Sequence, residues 1–246
     1  MFSYLHEDSF EGLLSALALA LAESAESCEF VTEDPGLLFA PIRVAADPAV
    51  ADGLLDRLRS VAGGLAAHRF CHAYLADRPT PGNVLLGYLR ATFKAGRNVD
   101  GWTTNPVVRE VLDRARLVGG ETHRFTGLLR FMELRDGTYY GPFAPDHRIL
   151  LPLARYFTQR LADQRWVIHD RKRGVAVLWD GKQLHPAEFD GPGDAREWVS
   201  DDERRFQECW RTYTRHIAIK ERINPRLQAQ FMPRRYWQYL TEMNGS

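Results

Sequence analysis

Phe2 to His6 places large apolar and polar side chains in alternation over five positions, the period-two pattern of a short strand. Glu7-Asp8-Ser9 then offers capping groups ahead of a run from Phe10 to Ala25 whose apolar residues recur at helical spacing, so a helix follows. Cys28 to Thr32 and Leu37 to Val44 read as further extended segments, separated by the turn Glu33-Asp34-Pro35-Gly36. Asp47-Pro48 opens a second helix that reaches about Leu58, with proline at the first position, where a missing N–H costs nothing. Leu65 to Leu75, Asn83 to Ala95 and Asn105 to Leu117 repeat apolar residues at three- and four-residue steps, which makes the middle of the chain helical.

Gly119-Gly120 is the clearest internal boundary, because the texture changes after it. Thr122 to Leu134 alternates polar and apolar residues, and Asp136-Gly137 is a hairpin signal leading into Thr138 to Phe143. Asp146 is placed to cap a helix from about His147 to Leu161. Its stripe Ile149, Leu150, Leu153, Phe157 and Leu161 must be covered by a sheet. Trp166 to His169 and Val175 to Trp179 are β-rich runs joined by the turn Asp170-Arg171-Lys172-Arg173-Gly174. A last long helix is expected from Asp201 to Arg222, ahead of Asn224-Pro225, and Pro233 starts a short one. The expected class is α+β: a helical amino-terminal half with short strands (1–118), then an antiparallel ββαββ layer and a basic carboxyl-terminal helix (119–246), the halves forming one compact body.

Composition adds limits. The 246 residues, 45% hydrophobic and 26% charged, can bury a substantial core, which excludes disordered and fibrous classes. Cys28, Cys71 and Cys209 are far apart and without CxxC spacing, so neither a disulfide framework nor a structural zinc is expected. The apolar run Leu13 to Ala22 is too short to span a bilayer and has an acidic flank where a signal peptide has a basic one, so the expected location is cytoplasmic. Charge is distributed unevenly: Met1 to Ser60 carries eleven acids against three bases, and Arg204 to Arg235 nine bases against two acids. Such polarity calls for an anionic partner at one end, or for the two ends packing together.

The segments HRFTGLLRF (His123 to Phe131), YYGPFAPDHRILLPLARYFTQRL (Tyr139 to Leu161), RWVIHDRKRGVAVLWDG (Arg165 to Gly181) and IKERINPRLQAQFMPRRYW (Ile219 to Trp237) resemble a bacterial family of DNA metabolism and repair proteins. Phe10-Glu11-Gly12-Leu13-Leu14 also fits, so the resemblance covers nearly the whole chain. It is a family of unknown function. The resemblance implies a neighbouring radical SAM protein with a helix-hairpin-helix segment as partner. Some members carry an added uracil-DNA glycosylase-like domain, which is not expected here because the sequence stops just after the tail motif. No catalytic residue is implied.

The candidate interface lies in the tail, where Arg211, Arg215, Lys220, Arg222, Arg226, Arg234 and Arg235 are interleaved with Trp210, Tyr213, Phe231, Tyr236 and Trp237. Guanidinium groups neutralise phosphates and release counterions, while aromatic faces stack on unpaired bases. On a continuous helix Arg204, Arg211, Arg215 and Arg222 share one stripe. The structural alternative makes the aromatics core and pairs the arginines with the acidic first sixty residues. Arg171-Lys172-Arg173 forms a second basic element at a hairpin tip, and is equally well an ordinary solvated turn.

Asp146, His147, His169 and Asp170 are weak catalytic candidates, since a carboxylate beside an imidazole raises its basicity; Asp146 is more simply a cap. His68, Cys71 and His72 share a helix face but lack a distant fourth ligand, so no metal is expected, and the absence of Walker A, GxGxxG, GxSxG and HExxH patterns leaves no cofactor to expect. The leading expectation is an accessory protein that binds single-stranded or damaged DNA, with no membrane partner. The alternatives are an enzyme acting on a nucleobase or nucleotide and a protein-interaction scaffold.

Overall fold

The computed structural model describes residues 2–23, 28–34, 36, 40–189 and 197–243. The chain divides into two compact units, Met1–Gly119 and Gly120–Ser246.

The first unit is built on a three-stranded parallel sheet in the order β2-β1-β3, with β1 (Phe2–His6) between β2 (Cys28–Val31) and β3 (Ile42–Val44). Parallel neighbours need a crossover, and α1 (Phe10–Ala22) supplies it between β1 and β2. Ser9 caps that helix, its Oγ accepting from the Gly12 N–H at 2.9 Å. Gly12 is required there, because a Cβ would stand 2.6 Å from the Glu7 carbonyl oxygen. α2 (Pro48–Ala62), α3 (Gly64–Leu75) and α4 (Pro81–Ala95) follow, and Asp47 caps α2 through the N–H groups of Ala49 and Val50. Leu13, Leu17, Leu58, Phe70, Leu85 and Tyr88 are among the side chains of a core shared by these helices and the sheet. Residues 24–25 of the first expected helix, 37–39 of the expected extended segment and Pro35 of the turn lie outside the described residues.

α5 (Pro106–Leu128) corrects the expected strand from Thr122: the helix runs through Gly119-Gly120, where the two units divide, and leaves only Met132–Glu133 as β4. The alternation was ambiguous because Glu121, Phe125 and Leu129 also recur at four-residue steps, and that period wins: all three are buried.

The second unit carries a five-stranded sheet in the order β4-β5-β6-β7-β8, adding β5 (Tyr139–Phe143), β6 (Trp166–Asp170), β7 (Val175–Trp179) and β8 (Leu184–Glu188). The class is α+β, but the sheet is mixed rather than wholly antiparallel, since β5 and β6 run parallel. α6 (Leu150–Arg160) lies between them in sequence and makes that return possible. It packs on β6 and β7, burying Leu150, Leu153, Ala154 and Phe157. Both hairpins form as expected, β4 with β5 and β6 with β7. β8 was not foreseen: Pro186 reads against a strand, and an edge position is where a proline is tolerated.

α7 (Asp201–Ile217) stops short of the expected Arg222. Ile217, Ile219 and Ile223 are β-branched and weaken the continuation, so a 3-10 turn (Lys220–Arg222) and α8 (Pro225–Phe231) take over. Two more 3-10 segments, Arg234–Tyr239 and Thr241–Met243, follow.

Candidate nucleic-acid interface

α7 begins with Asp201, Asp202 and Glu203, is capped by the Ser200 hydroxyl accepting from the Glu203 N–H at 3.1 Å, and ends with Arg215 and His216. That charge order suits the helix dipole. At 3.6 residues per turn, Arg204, Arg211 and Arg215 fall on one stripe, while Phe206, Cys209, Tyr213 and Ile217 fall about half a turn away. The arginines and aromatics that alternate in sequence are therefore segregated on the helix. Arg222 is off the stripe, because the helix has already ended. Trp210 anchors one flank: its Nε1–H donates to Glu242 Oε2 at 3.2 Å, and Arg130 grips the same carboxylate at 2.6 and 3.2 Å. Burial works to raise the Glu242 carboxyl, but the Arg130 guanidinium outweighs it and holds the group below its ordinary range.

Arg211, Arg215, Arg222, Arg226 and Arg234 form no ion pair among the described residues. Arg215 Nε–H donates to the Arg211 carbonyl at 3.2 Å, and the Arg234 guanidinium lies 5.6 Å over the Trp237 ring, whose Nε1–H donates to the Met232 carbonyl. Lys220 stands in the turn before α8; its side chain lies outside the described residues.

Arg235 belongs to a different structure. It pairs with Asp146 and donates to the Tyr236 hydroxyl at 3.1 Å. Tyr236 is buried and donates in turn to Glu121 Oε1 at 2.6 Å. Burial, followed by the neighbouring Glu121 carboxylate, pushes the Tyr236 phenol well above its ordinary value. Glu121 also accepts the backbone N–H groups of Asp146 and His147, each at 2.8 Å. Asp146 therefore is not the expected helix cap; α6 starts after Ile149, and the 145–147 loop is held by Glu121 from α5.

The hairpin tip is only partly solvated. Arg171 is exposed, but Arg173 turns inward, donating to Asp170 Oδ2 at 2.7 Å and to the carbonyls of Pro145, Asp146 and His147. Lys172 Nζ donates to the Asp146 carbonyl at 3.2 Å. Asp170 is buried and also accepts the Lys172 N–H, so its carboxylate shapes the turn. His169 faces the other way: its Nδ1 and the Tyr140 hydroxyl lie 2.6 Å apart, and the Phe189 ring meets it edge-on. Burial pushes the Tyr140 phenol up to about 12. The four catalytic candidates thus fall into two neighbourhoods: Asp146, His147 and Asp170 are tied together through Glu121 and Arg173, while His169 faces Tyr140 on the opposite side of β6.

The His68 and His72 rings lie with centroids 4.0 Å apart and planes tilted by 42°, and among the described residues no group of three or more His, Cys, Asp or Glu side chains gathers to hold a metal ion. Burial, then the nearby His68, lowers His72 to about 4. No described helix is long and apolar enough to cross a membrane. Sequence reasoning missed Glu121 as the organiser of the 145–147 loop; its one signal was a carboxylate at core spacing with Phe125 and Leu129.

No curated protein matches the chain. The profile of a domain of unknown function, DUF4130, matches residues 79–242, a span that runs from the start of α4 to the last 3-10 segment and includes Glu121, Arg173, Tyr236 and the exposed arginines. With two-thirds of its length inside that match, the chain belongs to the DUF4130 family.

Proposed function

We propose that the protein is a cytoplasmic nucleic-acid-binding component of DNA metabolism, which holds single-stranded or damaged DNA against the arginines of its carboxyl-terminal segment. One observation carries this reading: among the described residues Arg211, Arg215, Arg222, Arg226 and Arg234 have no carboxylate partner, in a segment that elsewhere pairs its charges closely, as Arg235 with Asp146 and Arg130 with Glu242 do. Uncompensated guanidiniums gathered in one short stretch repel each other, and phosphates relieve that repulsion while releasing counterions. Exposed Arg171 at the hairpin tip is a further phosphate ligand. Phe231 is exposed and Trp237 half-buried beneath Arg234, so both are available for stacking on unpaired bases.

The sequence resemblance supports a radical SAM protein as the partner that supplies chemistry, with this chain contributing recognition. The enzyme alternative has less support, since His169 and Asp170 are buried and turned apart.

Fluorescence anisotropy with labelled single-stranded and duplex oligonucleotides of random sequence tests the proposal. Binding at low salt, with the single strand preferred, is expected; absence of binding to either, or to RNA, at low salt would overturn it. Co-purification of a radical SAM protein from the native host tests the partner separately.

A further inference from the structure

On α2, α5 and α7, exposed arginines stand three positions after an aspartate and pair with it: Arg59 with Asp56 at 2.9 Å, Arg116 with Asp113 at 3.3 Å and Arg204 with Asp201 at 3.4 Å. α6 departs from that habit. The stretch 147–162 holds Arg148, Arg155 and Arg160 and no acid. Three and four positions before Arg155 stand Pro152 and Leu151, and before Arg160 Phe157 and Tyr156. All three arginines are exposed, and among the described residues none of them forms an ion pair. Asp163, three positions after Arg160, lies past the end of the helix and does not pair with it. Leu150, Leu153, Ala154 and Phe157 turn to the sheet, so at 3.6 residues per turn Arg155 and Tyr156 project from the opposite side, with Arg160 one turn beyond Tyr156.

We infer that this outer face of α6 continues the nucleic-acid path of the carboxyl-terminal arginines, so that one bound strand crosses from the tail onto α6; the inference rests on the binding proposed above. The two surfaces meet at the 145–148 loop. Arg235, next in the chain to Arg234, pairs with Asp146, two positions before Arg148. Lys172 Nζ reaches the Asp146 carbonyl at 3.2 Å, which brings the turn bearing exposed Arg171 to the same place. The Asp146 charge is met by Arg235, so it does not bar a phosphate chain from passing.

Spacing favours a chain of phosphates over a single small anion. Arg155 and Arg160 are about 7 Å apart along the axis, and Arg148 stands roughly 10 Å before Arg155, steps of about two and three nucleotides at ~3.4 Å each. Tyr156, exposed between Arg155 and Arg160, offers a ring on which an unpaired base can stack. The whole of α6 lengthens the path by about 16 Å, or about five nucleotides.

Fluorescence anisotropy with labelled oligothymidylates of increasing length, each titrated at several salt concentrations, tests the inference. Arg148→Ala/Arg155→Ala/Arg160→Ala should flatten the logarithmic salt slope by about two units, since three phosphates contribute about 0.7 each on a single strand. The same variant should stop gaining affinity at an oligonucleotide about five nucleotides shorter than the wild type does. Arg148→Lys/Arg155→Lys/Arg160→Lys should keep the wild-type slope, because charge is what the phosphates meet; a slope lost in the lysine variant as well would assign the effect to packing and overturn the inference. Wild-type binding with slope and saturating length unchanged in the alanine variant would overturn it too and leave the tail as the whole binding surface. A wild type that binds no nucleic acid at low salt would overturn both readings.

Discussion

α1 and α7 show two ways of using a helix. α1 is apolar nearly all round: seven of its thirteen residues are buried, and it sits between the amino-terminal sheet and its neighbouring helices. α7 has seventeen residues, none buried, with arginines on one face and large apolar side chains on the opposite one. A surface helix ordinarily turns its apolar stripe to its own core. α7 instead is fastened at one flank through Trp210 and Glu242, and both of its faces remain open to other molecules. Within one chain, then, one helix is spent on a core, while another keeps its charged and apolar faces in solvent.

The sharpest difference should appear in stability. Leu17→Ala on α1 should cost about 3 kcal/mol, by lost burial and the cavity left behind. Phe206→Ala on α7, measured in dilute solution, should stay within about 0.5 kcal/mol. Chemical denaturation of both variants checks this, and equal losses would break the distinction.

A slightly smaller effect is expected at Glu121, the polar counterpart of that core. Glu121→Gln replaces one carboxylate oxygen by an NH2 group, so the side chain can no longer accept the N–H groups of both Asp146 and His147, and should cost about 2–3 kcal/mol; Tyr236→Phe should cost about 1 kcal/mol. Faster hydrogen exchange at Asp146 and His147 in Glu121→Gln would locate the loss in that loop.

His72 contributes to the acid limb of the stability profile. The folded pKa of His72 lies below its ordinary value of 6.5, at about 4, so the folded state binds fewer protons than the unfolded one. Its contribution is complete above about pH 6.5 and is lost as pH falls towards 4, by about 2 kcal/mol after allowance for the ring's partial contact with solvent. His72→Gln should flatten that part of the curve; an unchanged slope between pH 6.5 and 4 would assign it to other groups.

Much of the fold was legible. Ser9 and Asp47 marked helix starts, Asp136-Gly137 and the 170–174 turn marked hairpins, and the stripe from Leu150 to Phe157 marked the face that α6 puts on the sheet. Strand direction was not, because whether two runs pair parallel depends on the crossover between them, which no local pattern encodes. The stretch from Thr122 fits both a two-residue and a four-residue period, and only burial of Glu121, Phe125 and Leu129 decides between them. Sequence showed the arginines but not their division of labour: Arg235 in the tail and Arg173 in the β6–β7 turn are paired with Asp146 and Asp170, whereas Arg211, Arg215 and Arg226 form no ion pair among the described residues. That division depends on partners distant in the chain, Asp146 for Arg235 above all.

The salt dependence of DNA binding tests the central claim most directly. Wild-type affinity should fall steeply with added salt, with a logarithmic slope of about 0.9 per neutralised duplex phosphate, or about 0.7 on single strands. Arg215→Ala/Arg222→Ala/Arg226→Ala should flatten that slope by about two units at unchanged melting temperature, because solvated charges add little to stability. Arg235→Ala should do the reverse, lowering the melting temperature through lost contacts with Asp146 and Tyr236 and leaving the slope within about half a unit of wild type. An unchanged slope in the triple variant, or a slope governed by Arg235 instead, would contradict the account.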